Sequence, residues 1–378
     1  MPCLNILHVF RAPVGGLFRH VVDLAREQAL RGHRVGLIAD SNTGGERAEA
    51  TFKALEPSLA LGLTRIPMAR NIGPSDVLPV RHVMRRARQT NADVLHGHGA
   101  KGGAYARLTF GHARAVRAYT PHGGSLLFPT ASLAGKVYQT SERLLMRRGD
   151  LFLFESQFSA AVFRQKIGTP RGLVRVAHNG VSCGEFEPIV PAADATDLIF
   201  IGELRRIKGI DVLIEAIARL HGRGRTVTAT LVGSGPSEQA LKAQVESRGL
   251  SGAIRFKAAM PARHALTLGR VMAVPSRAES LPYVVLEAAA AGVPLIATNV
   301  GGISEIYGPQ AAALIPADNV DALATAIAAA LDGGDAARAF THALRDRVLA
   351  HFSVDTMVDG ILNAYGEAID TLARNGRR

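Results

Sequence analysis

The chain has 378 residues, 47% of them hydrophobic and 5% aromatic, with 44 Lys+Arg against 32 Asp+Glu and a formal net charge of +12. That much apolar material suffices for two ordinary domains, and two cysteines, Cys3 and Cys183, exclude a disulfide framework and fit a reducing compartment. The opening MPCLNILHVFRAPVGG lacks a basic region followed by a long apolar run, and no window approaches about 18 uninterrupted apolar residues, so the expectation is a cytoplasmic protein, at most peripheral on the inner face of the cell membrane.

The charge is lopsided. Residues 1–190 hold 25 Lys+Arg against 13 Asp+Glu, whereas residues 191–378 hold 19 of each. Such asymmetry points to an anionic neighbour of the first half. Nucleic acid fits poorly, because the basic residues are dispersed through periodic segments and stacking platforms are few. An anionic membrane surface or a lipid-phosphate acceptor fits better, since Arg81, Arg85, Arg86 and Arg88, then Arg143, Arg147 and Arg148, fall on predicted helices. A solubilising surface explains the same residues equally well.

In chain order, strand NILHVF, glycine loop RAPVGG, helix LFRHVVDLAREQALRG and strand HRVGLIA come first. Val21, Leu24, Ala25, Gln28 and Ala29 recur at near-helical spacing and Gly32 closes the helix, which makes this the opening βαβ of a doubly wound domain. Gly15 and Gly16 permit close approach of a ligand to the backbone with a helix N-terminus behind it, although many such turns need glycine for conformation alone. His20, one turn in, reads as a helix-surface or packing residue.

Residues 41–75 show no clean period and hold a loop, the short helix ERAEATFKAL and the strand TRIPM. Helix PSDVLPVRHVMRRARQT and strand ADVLHGHG follow. His96 and His98 share one strand face, but no carboxylate or cysteine accompanies them and zinc needs three or four protein ligands, so no metal is expected there. KGGAYARL opens another helix after a glycine turn, and Lys101 there reads as a solvated lysine or a contact for an anionic acceptor. The segment AVRAYTPHGGSLLF puts His122 at a strand's carboxyl end, where open α/β sheets bind ligands, and a structural loop histidine is the competing reading. Helix SERLLMRR, strand DLFLFES, helix SAAVFRQKIG and strand VRVAHNGV complete the domain, and Asn179-Gly180 is a turn signal.

The linker CGEFEPIVPAADAT places a boundary near 186, giving domains 1–185 and 186–352 and a C-terminal helix 353–378. Strand DLIFIGEL restarts the doubly wound pattern, with Lys208 standing just before a helix that turns Leu213, Ala216, Ile217 and Leu220 inward. Lys208 can meet a diphosphate there through charge-assisted hydrogen bonds. Strand TATLVGSGP, helix SEQALKAQVESRG, strand AIRFKAAM and helix PARHALTLG lead to residues 274–306, VPSRAESLPYVVLEAAAAGVPLIATNVGGISEI. In that stretch Glu279 lies in a loop before an alanine-rich helix, Glu287 lies early within the helix, and Gly292 and Pro294 stop it. Carboxylates at a helix N-terminus suit a sugar nucleotide: first-turn N–H groups receive a diphosphate and carboxylates accept from hydroxyls. A solvated loop residue and a favourable helix-dipole charge form the plainer reading. Helix VDALATAIAAALDG and the long amphipathic VDTMVDGILNAYGEAIDTLAR end the chain.

E-x7-E, followed by AAAAGVPLIAT and GG-x-x-E, resembles the C-terminal signature of the retaining GT-B glycosyltransferases, the glycogen-synthase-like superfamily with its bacterial group 1 type. The resemblance covers nearly the whole chain and is most specific from Ile199 to Ile306. It implies two doubly wound α/β domains facing across a cleft, with the last helix crossing back onto the N-terminal domain. It implies transfer from a UDP- or GDP-linked sugar to a glycan or lipid-linked acceptor with retention, in surface polysaccharide or lipid-linked glycan synthesis. Residue by residue, it implies that Glu279 binds the transferred sugar, Glu287 the ribose and His122 the sugar near the reacting carbon, and that Lys208 meets the diphosphate. Gly15, Gly16, Gly202 and Gly233 would lie close to the donor, the backbone around Ala258–Met260 would hold the base, and Ser280, Leu281 and Val285 would complete the donor side. Two departures stand out. The family's commonest form has arginine where this chain has Glu203, so Arg205, two residues on, is taken as its replacement; and Ser280-Leu281-Pro282 replaces a glycine-rich loop, Pro282 supplying no N–H. The chain has no D-x-D metal clamp, so a metal-independent reaction with no cofactor is expected. A sugar-nucleotide epimerase, and a basic membrane or nucleic-acid binding module, are the alternatives.

Overall fold

The computed structural model describes residues 2–109, 115–123 and 133–376. The chain forms two compact units, residues 1–179 with 354–378, and residues 180–353. The division therefore falls at the Asn179-Gly180 turn, six residues before the boundary expected from the linker composition.

The first unit holds a parallel sheet of strands β1 (Asn5–Phe10), β2 (Arg34–Asp40), β3 (Gly62–Ile66), β4 (Val94–His98), β5 (Val116–Thr120), β6 (Leu151–Phe154) and β7 (Leu173–Val176), in the order β3-β2-β1-β4-β5-β6-β7. Its central strands are buried along nearly their whole length, as expected of a parallel sheet covered on both faces. The helix Gly15–Leu30 packs Val21, Val22 and Ala25 into the core. The last helix, Val354–Arg374, belongs to this unit and buries Met357, Val358, Ile361 and Tyr365 against β4 to β6.

The second unit holds β8 (Thr196–Ile201), β9 (Ala229–Val232), β10 (Ile254–Lys257), β11 (Gly269–Val274) and β12 (Leu295–Ala297), all parallel, in the order β10-β9-β8-β11-β12. In both units the winding reverses beside the first strand, between β1 and β4 and between β8 and β11. The carboxyl ends of those strands are where this architecture binds ligands.

The helix Asp335–His351 was not foreseen. It buries only Leu344 and Val348, so it carries little apolar periodicity to read. Its arginines do the fastening: Arg345 bonds the carbonyls of Ala290 and Phe186, and Arg347 those of Ile306 and Glu305. These cations thereby hold carbonyls at helix C-terminal ends.

Candidate active site

In the second unit the turn after β8 and the loop after β11 meet at the reversal of winding. The 3-10 turn Arg206–Lys208 ends at Gly209, whose φ of +66° is left-handed and whose missing Cβ would sit 1.9 Å from the Pro275 carbonyl oxygen. Glycine alone lets the two segments touch there. The Arg277 N–H donates to the Ile207 carbonyl at 2.8 Å, and the Arg277 guanidinium bonds Asp211 at 2.7 Å, Asp318 at 2.6 Å and the Arg206 carbonyl. Hydrogen bonding to Asp211 is the main reason that the Arg277 pKa is raised. Burial pushes the Asp211 carboxyl up, but bonding to Arg277 and its charge outweigh it, and the net pKa is lowered.

This framework delivers Lys208 to Glu279. Lys208 Nζ donates to Glu279 Oε1 at 2.6 Å, and Ser276 Oγ donates to the same oxygen at 2.6 Å. The Glu279 side chain is 9% exposed and that of Lys208 24%. Behind Glu279, a Cβ on Gly301 would lie 1.9 Å from the Glu279 carbonyl oxygen, and the Gly302 N–H donates to the Ser280 carbonyl at 2.7 Å. The loop is thus clasped from both sides.

Glu203 and Arg205 are both exposed and flank the buried Leu204 in a tight turn, in which the Arg205 N–H donates to the Glu203 carbonyl at 2.8 Å and the Arg205 guanidinium pairs with Glu203 at 3.5 Å. Arg205 thus lies on the side of Glu203, and the Lys208 N–H donates to the Arg205 carbonyl at 2.9 Å, while no side-chain bond shown joins Arg205 to Lys208 or Glu279. Gly202 donates to the Val232 carbonyl, and Gly233, at φ +150°, comes so near that a Cβ would lie 1.9 Å from the Gly202 oxygen. Glu287 is buried in the helix Tyr283–Ala290. Met260 packs half-buried beside the core that follows β10. Val285 is corrected from a donor-facing position to a core one: it is fully buried and its N–H donates to the Pro282 carbonyl. Leu281 is likewise 2% exposed, a packing side chain. Reading by motif missed Ser276, Arg277 and Asp211, which act through third partners and bear no spacing of their own.

In the first unit Gly15 opens the helix at φ +63°, with Gly16 next to it, and His122 follows β5 in the left-handed region at φ +52°. Gly124 and the SLLF run lie outside the described residues. His122 Nε2 lies 3.0 Å from His98 Nδ1, His98 Nε2 lies 2.9 Å from His8 Nδ1, and His8 Nε2 lies 2.8 Å from Gln28 Oε1. His96 packs against His98 with ring centroids 3.9 Å apart and planes tilted by 37°, and is held by the Tyr365 hydroxyl and Thr120 Oγ1. His20 is no surface residue: it is 1% exposed, bonds Asn179 and sets its ring edge-on to His122. Burial lowers all five pKa values, those of His8 and His20 to about 4. The absence of a third ligand near the H-x-H pair, assumed from sequence, does not hold, since His8, His96 and His98, and again His20, His98 and His122, bring their nitrogens within 4.8 Å of one another. Lys101 is neither solvated nor facing an acceptor. It is 7% exposed and bound to Asp76 at 2.6 Å and to the Asn71 carbonyl.

Known proteins agree with this architecture. Residues 195–333 match the family model "Glycosyl transferases group 1" and residues 14–185 match "Glycosyltransferase Family 4". The glycogen synthase of Mycobacterium tuberculosis is 26% identical over 93% of this chain and 91% of its own length. The D-inositol 3-phosphate glycosyltransferase of Acidothermus cellulolyticus is 26% identical over 94% and 86%. Among solved structures, sucrose-phosphate synthase from Thermosynechococcus elongatus superposes with a TM-score of 0.80 at 19% identity, covering 97% of this chain and 100% of that one. Anabaena HepE in complex with UDP and glucose gives 0.79 at 20% identity, covering 96% and 99%. With two parallel doubly wound sheets and family matches across both units, the chain belongs to the GT-B glycosyltransferases of group 1 type.

Proposed function

We propose that this enzyme transfers a glycosyl group from a UDP- or GDP-linked sugar to an acceptor hydroxyl with retention at the anomeric carbon. The observation that carries the reading is the Lys208–Glu279 pair of 2.6 Å at the carboxyl ends of β8 and β11. Both bonds to Glu279 use Oε1, which leaves Oε2 to accept from a sugar hydroxyl. An arriving diphosphate competes for Lys208 and takes over its charge, so the cation is held ready where negative charge develops as the nucleotide departs. Arg205 adds to this from the exposed side, and Glu287 takes the ribose diol. No nucleophile for a covalent intermediate stands out in the sequence, so leaving-group stabilisation is taken to dominate, and the lack of a D-x-D motif is read as metal independence. In the first unit His122 meets the transferred sugar.

The acceptor is read as a glycan or lipid-linked hydroxyl in surface polysaccharide or lipid-linked glycan synthesis. No helix among the described residues is long and apolar enough to cross a membrane. The helix Val77–Gln89, however, exposes Val77 and Leu78 at 51% and 63% beside the exposed Arg81 and Arg85. That mixture suits peripheral contact with an anionic surface. Incubating the protein with UDP- and GDP-sugars, with and without candidate acceptors, tests the reading. Acceptor-dependent release of nucleotide diphosphate and a product of unchanged anomeric configuration by NMR are expected; conversion of the donor to its epimer without acceptor overturns it.

A further inference from the structure

We propose that Gln28, His8 and His98 form a directional chain of hydrogen bonds that holds His122 as its Nε2–H tautomer, leaving Nδ1 as the nitrogen that accepts from a substrate hydroxyl. These three are positioning residues. The assignment of a substrate hydroxyl to His122 rests on the function proposed above; the tautomer does not.

A neutral imidazole has one donor nitrogen and one acceptor, so in a row of neutral rings each bond dictates the next. Burial keeps these rings neutral at ordinary pH. Gln28 presents Oε1, an acceptor only, to His8 Nε2 at 2.8 Å. The hydrogen of His8 must therefore sit on Nε2, and its Nδ1 accepts from His98 Nε2–H at 2.9 Å. His98 Nδ1 in turn accepts from His122 Nε2–H at 3.0 Å. The other rings fix planes rather than protons: His96 packs tilted against His98 while its own nitrogens face Tyr365 and Thr120, and His20 sets its edge against His122. His122 also holds a left-handed backbone at φ +52°, a conformation strained for a side-chain-bearing residue; its bond to His98 helps to offset that.

The same nitrogens are near enough to share a metal ion, yet the geometry favours hydrogen bonds. The closest pairs stand at 2.9 and 3.0 Å, the spacing of two nitrogens with a hydrogen between them. Neither triad contains a carboxylate or thiolate, and a buried dication without an anionic ligand is costly.

The experiment uses full-length protein with 15N-labelled histidine, whose two ring nitrogens report the tautomer directly. In the wild type His122 is expected as Nε2–H at pH 7.5. Gln28→Leu removes the terminal acceptor and should give a tautomer mixture at His122 with turnover down about tenfold and the donor KM within twofold. Gln28→Glu, still an acceptor, should keep the wild-type tautomer and turnover. A wild-type His122 protonated on Nδ1, or a Gln28→Leu protein with unaltered His122 signals, overturns the proposal. So does one equivalent of zinc in the purified protein that is lost on His98→Asn. If Gln28→Leu does not fold, the wild-type and Gln28→Glu spectra decide alone. Undiminished turnover in His122→Ala would remove the substrate contact but not the tautomer assignment, so the two failures are distinguishable.

Discussion

The two units share a winding and differ in what they put at its reversal. Beside β8 and β11 the second unit places ions: Lys208 with Glu279, and Arg277 with Asp211 and Asp318. Beside β1 and β4 the first places neutral rings bonded in series, although it carries the excess of Lys+Arg, 28 against 15 Asp+Glu, and the second has 16 against 17. Net charge therefore says nothing about the polarity of the ligand end. A diphosphate is met by a cation there, whereas a sugar hydroxyl needs a fixed donor or acceptor, and a neutral imidazole offers one of each.

Acid should separate the units most clearly. His8 and His20 have folded pKa values near 4 against an ordinary 6.5. Between those values the unfolded chain binds the protons, so stability is full above pH 6.5 and falls towards pH 4, by about 3 kcal/mol for His8 alone at 1.36 kcal/mol per unit. In the second unit the Asp211 pKa is lowered, so its contribution persists through that window and is lost only at still lower pH. Hydrogen exchange at stepped pH should show the first unit loosening first; simultaneous loosening would contradict the comparison.

Lys208→Ala should reduce turnover by about a hundredfold or more, the effect of removing one preorganised charge-stabilising donor, with the fold intact. Near-normal turnover would sink the leaving-group role. Glycines in similar conformations should respond differently in the two units. Gly209→Ala combines φ +66° with a Cβ 1.9 Å from a carbonyl oxygen, whereas Gly15→Ala has φ +63° and nothing within 4 Å. Urea unfolding should give a loss of about 1 kcal/mol for Gly15→Ala and clearly more for Gly209→Ala; equal losses would mean that the Pro275 contact relaxes. The smallest effect concerns the basic surface. Arg85→Glu should weaken sedimentation with anionic vesicles several-fold, since one basic residue contributes about 1 kcal/mol at such a surface, and leave donor hydrolysis unchanged. Equal partitioning of wild type and variant would make this face ordinary solvated surface.

The sequence by itself determined the two doubly wound domains, because buried parallel strands and amphipathic helices write their periods into the chain and glycine marks their turns. It also singled out Glu279, Glu287, Lys208 and His122, through short local motifs and the family resemblance that they carry. Side-chain direction was decided only by the tertiary structure. Val285 and Leu281 turned into the core, and Lys101 was taken up by Asp76 from another segment. The Lys208–Glu279 pair spans 71 residues, and the His8–His98 bond spans 90. Arg277 and Gln28 carry no motif, because their role is to hold groups brought together by sheet pairing, and that adjacency exists only once the strands have found their order.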